Sequence, residues 1–395
     1  MKILSINAGS SSLKFKMYEM PEEKILISGL IEKIGEDAGY KIITDKTYED
    51  KVKIDNHEDA AALLIKLLFN YNIIDSLDEI KAIGHRIVNG KDHFLPELAD
   101  DNAVQRLKDI SELSKAHMKG HLAGINAFRK LAPNIPQVLN YDTAFHHTIK
   151  EENYLYPVPY EWYQMYNVRK YGFHGISAKY ITTKLEQKLN KKVNLIICHI
   201  GNGASITAVK ESKSLDNSMG FTANAGLIMG TRCGDIDYSI IPYIAKKLNY
   251  TIDQIDDILN SKSGLEGYVK GANDNRDLEK AINRGDQKAK LIFEMYVNKV
   301  VDYIAKYYLM LDDIDAIVFT AGVGENNVTF RKKVLQKLQK LGIILDEEKN
   351  QNINKFGKEE GIITDETSKI PCLVMKTDEE IMIARDTLKF IEKGD

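Results

Sequence analysis

Cysteine is scarce in this chain of 395 residues: Cys198, Cys233 and Cys372 are far apart and form no CxxC pair. This spacing argues against a disulfide framework and is typical of a reducing compartment. Long apolar runs are also absent, because Asn7 and the glycine and serines after it interrupt the apolar start of the chain. No segment has the length that a signal peptide or a membrane span needs. These absences predict a cytoplasmic protein without a membrane partner.

Long blocks of one charge are missing as well. The chain carries 54 basic and 57 acidic side chains and a formal net charge of −3, so nucleic acid and anionic membranes are poor candidates as partners. Its content of 44% hydrophobic and 28% charged residues is ordinary for a globular protein. The length leaves room for two or three domains with sizeable cores.

A turn rich in small polar residues lies in the stretch "INAGSSSLKFKMY", which runs from Ile6 to Tyr18. After the turn, Leu13, Phe15 and Met17 alternate with polar residues, which predicts a half-buried strand. The turn itself fits two interpretations. It is an ordinary hairpin turn, or it is a phosphate site where backbone N–H groups, serine hydroxyls and Lys14 converge on one anion.

Strand patterns dominate the first part of the chain, in "KILISGL", "YKIIT" and "DKVKID". A helical pattern follows over Asp59–Leu68, and "IKAIGHRIV" predicts another strand. Helical patterns fill Asn102–Leu131, with a predicted break near Lys119 and Gly120, before the strand "QVLNYD". The two prolines of "YPVPY" then indicate an extended connection at which the chain changes domains.

The second half of the chain repeats the plan of the first. The stretch "VNLIICHIGNGASITAVK" predicts a strand, a turn at Gly201 and Gly203, and a second strand. Helices are predicted over Tyr238–Leu248 and Lys288–Leu311, and the strand "IDAIVFTAG" enters a helix through "GVGENN". The alternation predicts two α/β lobes with mixed sheets. Because two similar turns could hold one polyphosphate, the repetition favours the phosphate interpretation.

Several longer motifs resemble those of a known family. "INAGSSSLK", "GHRIV", "DTAFH", "YGFHG", "CHIGNGAS", "MGTRCGDID", "AGVGEN" and "TDEEIMIAR" occur in the order and spacing of acetate kinases. The resemblance implies an α/β fold of two duplicated lobes, the acetate and sugar kinase/Hsp70/actin (ribonuclease H-like) fold, with a nucleotide cleft between them. It implies an N-terminal lobe of residues 1–148 completed by a C-terminal helix over 378–395, a nucleotide-binding lobe of residues 149–377, and a homodimer.

The resemblance also implies a reaction. An acetate kinase transfers the γ-phosphoryl group of ATP directly and reversibly to a small carboxylic acid, forming an acyl phosphate. Since both reactants are anions, Arg86 and Arg232 are expected to offset their repulsion, a task that suits the permanently charged, planar guanidinium. His174 is expected to stabilise the transferring phosphoryl group. Asp142 matches an acid of the family's active site, and we interpret it as positioning an arginine or water, because a carboxylate nucleophile is already ionised near neutral pH.

The resemblance implies a nucleotide site drawn from both halves of the chain. The expected ATP-binding residues are Asn7, Ser10, Ser12, Lys14, His199, Ile200, Gly201, Asn202, Gly203, Asp274, Asn275, Arg276, Gly322, Val323, Gly324, Glu325 and Asn326. "AGVGENN" lacks the third glycine of a dinucleotide fingerprint, so Rossmann chemistry gains little support.

A divalent metal is implied near the end of the chain. In "TDEEIMIAR", Thr377 and Glu380 fit a helix capping box, which leaves Glu379 for another role. By resemblance, Glu379 and Asn7 help to hold Mg²⁺, with Mn²⁺ as an alternative; a hard cation of this kind prefers carboxylate oxygens.

The acyl pocket departs from the family pattern. The implied substrate-binding residues are Arg86, Val88, Ala116, His117, Phe173 and Ala223. Ala116 stands where acetate kinases usually have leucine, and Ala223 stands where they usually have proline. Two smaller walls predict an acid somewhat larger than acetate, such as propionate or butyrate, or a polar acid. A catalytically weak nucleotide sensor on the same fold is the alternative from another functional class.

Overall fold

The chain folds into two compact units in the computed structural model, which describes residues 1–272, 275–353 and 360–394 but not the side chain of Ala116. Unit 1 comprises Met1–Phe145, Gly175–Ser177 and the chain from Asp378 onward. Unit 2 comprises His146–His174 and Ala178–Thr377. Within the described ranges, no helix is long and apolar enough to cross a lipid bilayer.

Each unit contains one mixed sheet. The strands of unit 1 are β1 (Lys2–Ala8), β2 (Ser12–Glu19), β3 (Lys24–Glu32), β4 (Gly39–Ile43), β5 (Thr47–Lys51), β6 (Ile80–Ile87), β7 (Glu97–Leu98) and β8 (Gln137–Tyr141). Those of unit 2 are β9 (Leu195–Ile200), β10 (Ala204–Lys210), β11 (Lys213–Asn217), β12 (Ala316–Thr320), β13 (Gly361–Ile362) and β14 (Cys372–Val374).

The two sheets share one topology. Their strand orders are β5-β4-β3-β2-β1-β6-β8-β7 and β11-β10-β9-β12-β14-β13. In each, an antiparallel hairpin (β1 with β2, β9 with β10) precedes two parallel strands (β6 and β8, β12 and β14) and a short antiparallel edge strand. The six-strand order β3-β2-β1-β6-β8-β7 is therefore repeated in unit 2, which confirms the predicted α/β fold of two duplicated lobes.

The helices include each stretch with a predicted helical pattern and others that no pattern indicated. They are α1 (His57–Asn70), α2 (Asp101–Asp109), α3 (Lys115–Leu131), α4 (Glu151–Tyr154), α5 (Tyr160–Tyr166), α6 (Gly175–Leu189), α7 (Ile240–Leu248), α8 (Ile252–Ser261), α9 (Gly264–Tyr268), α10 (Asn275–Asn283), α11 (Gln287–Met310), α12 (Ala321–Asn326), α13 (Val328–Leu338), α14 (Glu347–Asn352) and α15 (Glu379–Glu392). Side-chain caps fix several N-termini, as where Asn56 accepts from the backbone N–H of Asp59.

Helices α3 and α15 cover opposite faces of the unit 1 sheet. Neighbouring residues of β6 point to opposite sides: the ring of His85 packs on Phe128 of α3, whereas Gly84 faces α15. A Cβ atom on Gly84 would lie 2.3 Å from Oγ1 of Thr387, so only glycine allows α15 to pack this closely. Arg86, two residues after Gly84, projects on the α15 side.

One predicted helix break is wrong. The interruption in Asn102–Leu131 falls between α2 and α3, and α3 continues through Lys119 and Gly120. Gly120 has a different reason to be glycine, since a Cβ atom there would lie 2.1 Å from the carbonyl oxygen of Gly9. Sequence pattern cannot distinguish a glycine that ends a helix from one that lets another backbone approach.

Gly120→Ala is expected to lower the free energy of unfolding by about 1–3 kcal/mol, the usual cost of overpacking. Alanine at an uncrowded helical site would instead raise stability. Gly322→Ala in α12 is the control, because no heavy atom lies within 4 Å of a Cβ built there. Chemical denaturation measures both variants. Equal or higher stability of Gly120→Ala would contradict the close approach.

Candidate active site

The first glycine turn (Gly9–Ser11) joins β1 to β2. The N–H of Gly9 donates to the carbonyl oxygen of Ser12 at 2.8 Å, and Asn7 lies opposite Lys14 in the strand register. The structure therefore brings Asn7, Ser10, Ser12 and Lys14 together at one end of the hairpin. Burial lowers the pKa of Lys14, but the carboxylates of Glu380 and its neighbours raise it by more, so that the pKa is raised overall.

The predicted capping box at the start of α15 is wrong. The N-cap is Asp378, whose carboxylate accepts from the N–H of Ile381 at 3.1 Å. Glu380 is buried and instead forms ion pairs with Nζ of Lys14 at 2.6 Å and of Lys16 at 3.5 Å. A buried carboxylate needs such partners to offset its desolvation, and the lysines come from β2, which is remote in sequence.

Arg86 is held between two carboxylates. Its Nη2 donates to Oδ2 of Asp142 at 3.0 Å, and its Nε lies 3.6 Å from Oε2 of Glu379. The other carboxylate oxygen of Asp142 accepts from the backbone N–H of Ile176 at 3.3 Å. Asp142 is thus fixed on both sides, and it orients the guanidinium by a charge-assisted hydrogen bond.

Glu379 lies in a setting that a divalent cation would stabilise. The pKa of Glu379 is raised to about 7, chiefly by burial; the charge of Arg86 lowers it, whereas those of Asp142 and Glu380 raise it. A carboxylate among other carboxylates is the setting that a cation stabilises. Among the described residues no group of three or more His, Cys, Asp or Glu side chains could hold a metal, and Mg²⁺ is usually bound by one or two carboxylates together with substrate phosphates.

The second glycine turn (Gly201–Gly203) occupies the same place in unit 2. The N–H of Gly201 donates to the carbonyl oxygen of Gly203 at 3.0 Å, and the carbonyl oxygen of Asn202 accepts from the N–H of Gly230 at 3.0 Å. The turn connects β9 to β10, so His199, Ile200 and the three turn residues are contiguous, as the sequence predicts. Gly230 belongs to the loop that carries Arg232.

His174 and Arg232 converge on the second glycine turn. A Cβ atom built on Gly203 would lie 3.5 Å from Nε2 of His174 and 3.7 Å from Nη1 of Arg232. His174 has φ 56° and ψ 30°, a left-handed conformation that costs energy for a residue other than glycine and is concentrated at functional sites. Two side chains from distant stretches of sequence thus lie beside the second glycine turn.

The loop of Arg232 is fixed by backbone contacts. Nη1 of Arg232 donates to the carbonyl oxygen of Ala223 at 2.9 Å, and the N–H of Met229 donates to the carbonyl oxygen of Arg232 at 3.1 Å. Gly264 packs against this turn, where a Cβ atom would lie 2.0 Å from the carbonyl oxygen of Met229. Such constraints hold the guanidinium in place before any ligand binds.

A cavity of about 390 Å³ lies beside the second glycine turn. Of the predicted nucleotide residues, it is lined by Gly201, Asn202, Asn275, Arg276, Gly322, Val323 and Asn326. Sequence reasoning missed its other lining residues, which are Gly230, Leu265, Glu279, Tyr296 and Asn327. Asn275 is 7% exposed, and its Oδ1 has no hydrogen-bond partner in the described part of the chain. The volume is within the range of small-molecule sites.

Other predicted nucleotide residues near the cavity do not line it or lie outside the described residues. Gly324 does not line it, and its carbonyl oxygen accepts from buried Arg331 at 2.9 Å. The carboxylate of Glu325 accepts from the N–H groups of Ala321 at 2.8 Å and Thr377 at 3.2 Å. Asp274 lies outside the described residues. The buried Arg331 carries no motif in the sequence, and only the fold reveals its contact with "AGVGEN".

The predicted acyl-pocket residues are divided between the two units. Val88 is buried in unit 1, where its N–H donates to Nε2 of His121 at 3.2 Å, and His117 lies half-buried on α3. Phe173 is buried in unit 2, which also contains Ala223. The side chain of Ala116 lies outside the described residues.

Comparison with known proteins identifies the family. The model of the acetokinase family matches residues 2–385. An acetate kinase of Phytoplasma australiense is 45% identical over 100% of this chain and 99% of its own. A propionate kinase structure from Francisella tularensis has a TM-score of 0.92 at 36% identity, covering 98% of this chain and 99% of its own. The acetate kinase structure from Porphyromonas gingivalis has a TM-score of 0.88 at 35% identity, covering 99% of each. The resemblance predicted from the motifs is confirmed: the chain belongs to the acetokinase family.

Proposed function

We propose that this protein transfers the γ-phosphoryl group of ATP to acetate or a slightly larger short-chain carboxylate, forming ADP and an acyl phosphate in a reversible, direct in-line reaction. The convergence of His174 and Arg232 on the second glycine turn, beside the nucleotide-sized cavity, is the observation that carries the proposal. Phosphoryl transfer depends mainly on positioning and on stabilising charge at the transferring group, and these residues supply donors for both.

Unit 2 supplies groups for the nucleotide. The cavity takes the nucleoside, with the uncompensated Oδ1 of Asn275 available to a donor of the base or ribose. The N–H groups of Asn202 and Gly203 in the second glycine turn bind phosphate oxygens, as glycine-rich turns do. Arg232 and His174 donate to the transferring phosphoryl group, where the negative charge must be stabilised.

Unit 1 supplies groups for the carboxylate. Arg86 pairs with the substrate carboxylate, and Asp142 holds its guanidinium in position at 3.0 Å. Because a carboxylate nucleophile is ionised at neutral pH, Asp142 has no proton to remove. Its contribution is the orientation of Arg86.

Mg²⁺, or Mn²⁺ in its place, would be held by Asn7 and Glu379. The ion would neutralise charge on the ATP phosphates. The clustering of Glu379 with Asp142 and Glu380, which raises the pKa of Glu379, supports this assignment.

The absence of disulfides among the three cysteines and the use of ATP support a cytoplasmic location.

Arg232→Leu is expected to lower kcat by about 10²- to 10³-fold, the usual effect of removing a transition-state donor, and to leave the KM for ATP nearly unchanged. Steady-state kinetics with acetate and ATP measure both constants. Arg284→Leu is the matched control, since Arg284 is exposed on the same unit. Near-normal turnover of Arg232→Leu would remove Arg232 from the mechanism.

The acyl chain is the second part of the proposal. Alanine at 116 and 223 enlarges the expected pocket, and the likeness to a propionate kinase at 36% identity supports a longer acid. One methylene in an apolar pocket changes kcat/KM by about 10- to 200-fold. We therefore expect kcat/KM for propionate or butyrate to equal or exceed that for acetate, as measured by hydroxamate trapping across a series of acids that includes polar ones.

The pocket residues provide the control for this acid series. Ala116→Leu combined with Ala223→Pro should shift the preference back towards acetate. A strong acetate preference that the double substitution leaves unchanged would contradict the pocket argument. Binding of ATP with no hydroxamate from any acid would favour the sensor alternative instead.

We also propose a homodimer formed through unit 2. Helix α7 has the sequence IIPYIAKKL and no buried residue, and Ile240, Tyr243 and Leu248 are 46%, 61% and 53% exposed. Tyr238, just before the helix, is 81% exposed. An apolar face of this kind is costly in water and usually marks an interface, and a second copy would cover it with the same face.

Light scattering is expected to give twice the chain mass of 44.7 kDa. Tyr243→Asp should shift the mass towards the monomer, because a buried charge opposes association. Lys340→Asp, at an exposed lysine elsewhere in unit 2, is the control for a charge change away from this helix. A monomeric unaltered protein at micromolar concentration would contradict the proposal.

A further inference from the structure

The β9–β10 hairpin holds His174 through two side chains. His199 and Ser205 are directly opposite each other in the register of this hairpin. The ring of His199 stacks on His174 with centroids 4.0 Å apart and planes at 19°, and Oγ of the fully buried Ser205 lies 2.9 Å from Nδ1 of His174. One residue therefore supports the face of the imidazole, and the other contacts one of its nitrogens.

The imidazole of His174 lies near a guanidinium and at the N-terminus of a helix. Nε2 of His174 and Nη1 of Arg232 lie within 3.5 Å and 3.7 Å of the same point, the Cβ position of Gly203. His174 also occupies the N-cap of α6, where the helix dipole opposes cations. A neutral imidazole carries one proton, which lies on either Nδ1 or Nε2. Only the tautomer with the proton on Nε2 can donate towards the second glycine turn.

We propose that Ser205 is a positioning residue that selects this tautomer. Its hydroxyl donates to Nδ1 of His174, so that Nδ1 is the acceptor and Nε2 carries the proton. If the buried hydroxyl of Ser205 accepted from Nδ1, its own proton would be left without an acceptor among the described residues, which is costly. If it donates to Nδ1, the proton of the ring lies on Nε2. The catalytic consequence rests on the proposed function, in which Nε2 of His174 donates to the transferring phosphoryl group, whereas the tautomer itself does not depend on it.

Nitrogen NMR of the ¹⁵N-labelled full chain tests the tautomer directly, because protonated and unprotonated ring nitrogens have well-separated shifts. His174→Gln assigns the signals. We expect Nδ1 of His174 to be unprotonated and Nε2 protonated near neutral pH, Ser205→Ala to produce a mixture, and Ser205→Thr to restore the original pattern. A proton on Nδ1 in the unaltered protein, or an unchanged pattern in Ser205→Ala, would overturn the proposal.

Kinetics separate this proposal from the proposed function. Ser205→Ala should lower kcat by about 10- to 100-fold, as the loss of an outer hydrogen-bond partner does, with KM values for ATP and carboxylate unchanged. The matched control is Ser214→Ala, which removes a similar buried hydrogen bond to Nδ1 of His146 at 2.8 Å and should leave kcat nearly unchanged. Equal losses of kcat in both variants would overturn the proposal.

Failure of the positioning role of Ser205 and failure of the catalytic role of His174 would give different results. If Ser205→Ala changes the tautomer but not kcat, Ser205 positions His174 as proposed, and the catalytic role of His174 is wrong. If His174→Gln abolishes turnover while Ser205→Ala changes neither tautomer nor kcat, the catalytic role of His174 stands and the positioning role of Ser205 is wrong. Unfolding midpoints of all variants identify any loss of kcat that comes from misfolding.

Discussion

The ion pairs of the largely buried Arg86 side chain are the interaction that links the sheet of unit 1 to its C-terminal helix. It bonds to Asp142 at the end of β8 and lies 3.6 Å from Glu379 at the start of α15. Removing one member of a buried ion pair typically costs about 3–5 kcal/mol, because the other charge is left uncompensated. The contact with Glu379 therefore favours packing of the C-terminal helix on the N-terminal sheet, and Gly84 allows the two to approach closely.

The duplicated topology gives each unit a glycine turn at the same place, but the charges around the two turns differ. Near the first turn, Lys14 pairs with a carboxylate of α15, and the Asp142, Glu379 and Glu380 carboxylates cluster around Arg86. Beside the second turn, an imidazole and a guanidinium converge on Gly203. One backbone plan thus places clustered carboxylates near the first turn and two basic side chains beside the second.

Local patterns predicted most strands, both glycine turns and about half of the helices, because alternation and apolar periodicity reflect local burial. The helix break at Gly120 and the capping box of Glu380 were wrong for one reason: each residue's partner, Gly9 or Lys14, is remote in sequence. The same limit applies to Ser205, whose hydroxyl becomes informative only when His174 lies 2.9 Å away. Family motifs identified His174 and Arg232, but only the fold places them beside Gly203.

Transfer from ATP to a carboxylate oxygen is the central claim, and an isotope label tests it most directly. The purified protein is given ATP, Mg²⁺ and acetate carrying ¹⁸O in both carboxylate oxygens, and hydroxylamine cleaves the product at its carbonyl carbon. The phosphate released should contain one ¹⁸O atom, seen as an isotope shift in its ³¹P resonance, because the carboxylate oxygen becomes the bridge to phosphorus. Phosphate that contains only ¹⁶O would mean that water accepts the phosphoryl group, and it would contradict carboxylate kinase activity.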